Sequence, residues 1–73
     1  MSADKQKEIG LAAFRREIED VERNRAAGRL CVARDDFFSA EGMLRLLRAL
    51  NLISDEECDA LRKDLFEAHY VHA

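Results

Sequence analysis

The chain has no proline, no tryptophan, one tyrosine, two cysteines and three glycines among its 73 residues. It lacks any run of ~18 apolar residues, so no segment reads as a membrane span. The opening stretch MSADKQKEIG contains no apolar core segment and does not read as a secretory signal. Cys31 and Cys58 stand apart, without a CxxC or the short ligand spacings of zinc modules. A four-ligand metal set would have to be drawn from Cys31, Cys58, His69 and His72. No Gly-rich phosphate loop, no HExxH and no readable Ser/His/Asp set occurs. These absences remove membrane proteins, stapled or zinc-held scaffolds and the common enzyme classes. Neither a metal nor a cofactor is expected, and two buried thiols acting as small hydrophobes account for the cysteines.

What is present is apolar and charged in nearly equal parts, 48% hydrophobic and 37% charged. That apolar share is too high for a disordered chain. A length of 73 residues allows one small domain, spanning 1–73. The expectation is a small, soluble, cytoplasmic, helical protein. Fifteen acids against twelve bases leave a net charge of −3. Residues 1–28 are balanced, residues 29–53 hold Arg29, Arg34, Arg45 and Arg48 against three acids, and residues 54–73 are acidic. A chain that binds nucleic acid through phosphate neutralisation normally shows a basic excess. A protein partner suits this distribution better.

Hydrophobic spacing predicts three helices. Leu11, Phe14, Ile18 and Val21 follow a 3-4-3 pattern within residues 3–27, and Gly28 is placed to close that helix in the left-handed conformation. Arg15 with Glu19, Arg16 with Asp20 and Glu19 with Arg23 fall at i,i+4, each worth only ~0.2–0.5 kcal/mol. Leu30-Cys31-Val32 reads as a short buried connection. The second helix runs over about 36–50, with two starts left open: Asp35 as cap, or Ser39, since Gly42 would weaken an earlier beginning. Ala40, Met43, Leu44, Leu46, Leu47 and Leu50 cover nearly half its circumference.

Asn51 can close the second helix in the left-handed conformation. Ser54 with Glu57 forms a capping box and Ile53 with Cys58 a hydrophobic staple. A third helix follows over about 55–70, with Cys58, Leu61, Leu65 and Ala68 inward. The short connection makes helices two and three an antiparallel hairpin. The fold class is therefore all-α: a three-helix domain with one long amphipathic N-terminal helix followed by an antiparallel helical hairpin.

The stretch LRLLRALNLISDEECDALRKDL, about a third of the chain, resembles the short C-terminal helical hairpin of many bacterial proteins, the SHOCT type. In those, Leu-rich turns precede a Gly-Ile-Thr/Ser-Glu-Glu turn and an acidic helix. Asn51 stands here where Gly is usual. The resemblance implies an oligomerisation or docking module.

Apolar residues outnumber what so small a core can hide. Ile9 points nearly opposite the first stripe, Phe66 and Tyr70 form an i,i+4 pair rotated from Leu61 and Leu65, and Phe37 and Phe38 are adjacent. A domain of this size buries only ~60–65% of its extended-chain surface. The expected function is a non-enzymatic protein–protein interaction module, a homodimer that docks on a larger protein as adaptor or inhibitor. Its contact residues would be Ile9, Leu11, Phe14, Ile18, Val21, Phe66 and Tyr70. The alternative is a nucleic-acid-associated regulator using a basic patch of Arg29, Arg34, Arg45 and Arg48. His69 and His72 share an i,i+3 spacing, for which a histidine at the core edge is the simpler account.

Overall fold

Leu11, Phe14, Ile18 and Val21 lie along one side of a long helix, α1 (Ala3–Ala26). The structure, a computed structural model, describes residues 2–71, Val71 in its backbone alone. The Ser2 hydroxyl caps α1 by accepting from the Lys5 N–H at 3.2 Å. At the far end Gly28 N–H donates to Arg25 C=O at 3.0 Å and Arg29 N–H to Asn24 C=O at 2.8 Å. Those two bonds are a Schellman closure, which requires left-handed backbone at its turning residue. Gly28 supplies it with φ 78°. The ion pairs along α1 differ from those expected: Arg23 meets Asp20 at 3.1 Å and Lys5 meets Glu8 at 3.8 Å.

The second helix, α2 (Leu30–Ala49), begins earlier than either cap would place it. Asp35 and Ser39 both sit inside it and cap nothing. Leu30-Cys31-Val32 is an exposed first turn rather than a buried connection, with Leu30 57% exposed. The reason is tertiary. Ala33, Phe37, Ala40, Leu44 and Leu47 make an unbroken 4-3-4-3 stripe, all buried, and extending the helix back to Leu30 carries Ala33 into the core. Arg29, the N-cap, makes no side-chain cap bond. Burial against α1 outweighs that missing cap, worth about 1 kcal/mol.

The hairpin forms at the residues expected. Asn51 adopts φ 57°, its N–H donating to Arg48 C=O at 3.0 Å and Leu52 N–H to Leu47 C=O at 2.9 Å, a second Schellman closure. Ser54 and Glu57 complete a reciprocal capping box at 3.1 Å each way. Ile53 and Cys58 are buried in one apolar cluster. The third helix, α3 (Asp55–Phe66), then widens into a π-helical turn over Glu67–Val71. No strand occurs among the described residues, and the fold is a three-helix all-α domain.

The three helices share one core in which Phe14, Val21, Leu44 and Leu65 are fully buried. The α1–α2 pair is the closest, because Gly10 carries no side chain where it meets Leu47. A Cβ there would stand 2.5 Å from Leu47 Cδ2. The contacts of Gly10 with Leu47 and of Asn24 with Asp36 make these helices antiparallel. Lys7 Nζ meets Glu57 Oε2 at 2.7 Å, which pins the start of α3 beside the start of α1. The body measures 39 × 22 × 13 Å along its principal axes.

Candidate interaction surface

So small a core leaves apolar side chains in water. Ile9, Leu30, Val32, Phe38, Leu46, Leu50, Phe66 and Tyr70 are between 42% and 61% exposed. Several of them fall into two groups. The first lines a hollow of about 400 Å³ between Gln6, Ile9 and Gly10 of α1 and Leu46, Leu47 and Leu50 of α2, with Leu52 also on its wall. It exists because the 4-3-4-3 stripe of α2 uses Leu44 and Leu47 for the core and turns Leu46 and Leu50 outward. No α3 residue reaches it.

The second group is aromatic. Phe37, buried, has the rings of Phe38, Phe66, His69 and Tyr70 around it at centroid distances of 5.6, 5.4, 4.7 and 5.9 Å. Phe66 and Tyr70, one turn apart, stack at 5.7 Å. Both are exposed, as is Phe38, so one buried ring anchors three that face solvent. Arg34 lies over the Phe38 ring at 5.9 Å. His69 is buried with its Nδ1 lacking a hydrogen-bond partner among the described residues. Burial, and then the nearby Arg25 charge, hold its pKa below the usual histidine value. It is a neutral member of the aromatic core, and His72 lies outside the described residues.

Of the seven expected contact residues, Ile9, Phe66 and Tyr70 are on the surface. Phe14 and Val21 are not: both are fully buried in the chain's own core. Leu11 and Ile18 are half-buried against it. The helical stripe marks the side that packs, and here it packs on α2 and α3. Cys58 is buried and Cys31 exposed, so only one thiol is a core hydrophobe, and they are not bridged.

The four arginines do not pool their charge. Arg45 pairs with Glu41 at 3.1 Å, and Arg48 pairs with Asp55 and donates to Asn51. Arg29 donates to Asn24 Oδ1 at 2.8 Å, while Arg34 sits on Phe38. The Arg48 contact holds the Asp55 carboxyl below its usual range, and the bond from Lys7 does the same for Glu57.

One acidic cluster was invisible in the sequence. Carboxylate oxygens of Glu17, Asp20 and Asp36 lie within 4.8 Å of one another at the α1–α2 seam. Asp36 accepts from Asn24 Nδ2 at 2.7 Å and Asp20 pairs with Arg23. Glu17 Oε2 is buried and accepts no bond from the described residues. Burial first, then the charges of Asp36 and Asp20, raise the Glu17 pKa above its ordinary value. The three carboxylates have the donor type and spacing that a hard cation uses. A lone signal was available: Gly10, Glu17 and Asn24 repeat at heptad spacing on the flank of the stripe, but the partner carboxylate comes from another helix.

Among the described residues no helix is long and apolar enough to cross a membrane. No protein-family model, curated protein or solved structure matches the chain.

Proposed function

We propose that the chain is a non-enzymatic helical interaction module, docking on a larger protein through the α1–α2 hollow and pairing with itself through Phe38, Phe66 and Tyr70. One observation carries this reading: large apolar side chains, about half-exposed, are gathered at two places that no element among the described residues covers. Single exposed apolar residues are ordinary, whereas grouped ones mark contact sites. Fully burying such a side chain gains ~1.5–3 kcal/mol, so a half-exposed one has about 1 kcal/mol left to gain. Three rings from each of two copies supply about 6 kcal/mol before the cost of association. That sum is of the order of the ~4–15 kcal/mol cost of association, so self-pairing is weak and also draws on the surface around the rings.

Sedimentation equilibrium across a concentration series tests the pairing. A mass that rises toward the dimer, and stays monomeric in Phe66→Ser/Tyr70→Ser, is the expected result; a strict monomer up to about 1 mM refutes it. The nucleic-acid alternative has less support, since Arg45 and Arg48 are paired with acids and the net charge is −3. Salt-sensitive binding to single- or double-stranded DNA would revive it.

A further inference from the structure

The apolar hollow and the carboxylate cluster share one seam. Gly10, Glu17 and Asn24 repeat at heptad spacing along α1, as do Asp36, Met43 and Leu50 along α2. Residues seven apart fall on nearly the same side of a helix, drifting by only ~20°. Antiparallel pairing sets Gly10 against Leu47 at one end and Asn24 against Asp36 at the other. The hollow and the carboxylate cluster therefore lie along one α1–α2 seam, about two to three helical turns apart. From Gly10 to Glu17 and Asp20 is seven to ten residues of α1, or ~10–15 Å at 1.5 Å per residue. The α3 helix and the turn after it reach α1 near Lys7 and Arg25, five turns apart, and none of their residues lines the hollow.

We propose that this seam binds an amphipathic helix of a different protein, one offering two aliphatic side chains to the hollow and a Lys or Arg to Glu17, Asp20 and Asp36. The inference deepens the docking function proposed above and rests on it. A helix is the fitting shape, because the trough between two antiparallel helices is where a further helix of a bundle lies. A cation is the fitting charge. Three carboxylates converge there, and among the described residues Asn24 and Arg23 engage only two of them, the buried Glu17 Oε2 having no donor. A guanidinium or ammonium on the accessible oxygens of Asp20 and Asp36 would relieve the mutual repulsion.

A second copy of this chain is the poorer occupant in a parallel pairing, because a two-fold axis along the seam would set acidic cluster against acidic cluster.

The test uses labelled alanine- and glutamine-based helical peptides of about eighteen residues. Each carries leucine at its third and seventh positions and arginine at its fourteenth, in that order and in the reversed sequence. The spacing puts all three on one helix face and matches the separation along the seam. Fluorescence anisotropy with the full chain is expected to show one orientation binding with a Kd of roughly 10–100 µM. Replacing its arginine by glutamate should weaken binding at least tenfold. The double variant Glu17→Gln/Asp36→Asn should bind both peptides alike, and Leu50→Glu should bind neither, with helicity by circular dichroism unchanged in both. Equal binding of the arginine and glutamate peptides to the unmutated chain, or no binding of either up to about 1 mM, overturns the inference. Sedimentation of the same samples keeps the two ideas apart. Self-pairing through the aromatic rings without any peptide binding would sink the basic helix and leave the pairing intact.

Discussion

Gly42 offers a direct measurement of whether α2 runs unbroken from Leu30. In this structure it lies in the helix interior, exposed, and no heavy atom comes within 4 Å of where its Cβ would be. Its backbone φ is not positive, so alanine fits without strain. Gly42→Ala should therefore gain the full helix-interior difference between the two residues, ~0.8–1.0 kcal/mol. Unfolding entropy of ~2.1 cal/mol/K per residue amounts to about 0.15 kcal/mol/K for this chain, which makes the gain a rise in Tm of about 5–6 °C. Thermal unfolding followed by far-UV circular dichroism reads it. If Ser39 were instead the cap, Gly42 would occupy the first turn and the gain would shrink. Gly28→Ala is the internal contrast, because φ 78° is left-handed and costs an L-residue ~1–2 kcal/mol. An unchanged or lowered Tm for Gly42→Ala would refute the continuous α2.

Three further outcomes follow from the packing and the charges. Phe14→Ala should cost ~3–5 kcal/mol in urea unfolding, whereas Tyr70→Ala, at a residue 61% exposed, should cost under ~1 kcal/mol. Ser54→Ala removes the hydroxyl that accepts from Glu57 N–H and should cost about 1 kcal/mol. His69 and Glu17 give stability opposite pH dependences. The lowered His69 pKa means the unfolded chain binds more protons, so its contribution is complete above 6.5 and declines as pH falls below that value. The raised Glu17 pKa means the folded chain binds more, so its contribution is complete below 4.5 and declines as pH rises above it. Denaturation midpoints across pH should show His69→Leu flattening the acid-side loss and Glu17→Gln removing the decline above 4.5. A profile that neither variant changes would contradict both environments.

Much of the fold was written locally. Gly28 and Asn51 close helices because a left-handed residue is needed there and few residue types tolerate it. Ser54, Glu57, Ile53 and Cys58 start α3 through contacts spanning five residues or fewer, and such contacts are legible along a chain. The 3-4-3 stripe of α1 is likewise a property of one helix. Where local cues conflicted with burial, burial won. Asp35 and Ser39 are sound caps on composition, yet α2 passes through both so that Ala33 can enter the core. The same stripe that identified α1 misplaced Phe14 and Val21 at a contact surface, since periodicity names the side that packs without naming what packs on it.

Residue order alone therefore determined that three helices form, and how two of their turns close, because each of those signals is completed within one or two helical turns. Tertiary structure decided which apolar side chains remain in water. It also decided that Glu17, Asp20 and Asp36 meet, and that a hollow stays open between α1 and α2 beside Ile9 and Leu50. Those outcomes depend on the register and tilt of one helix against another. Gly10 facing Leu47 sets that approach, and no spacing within a single helix encodes it.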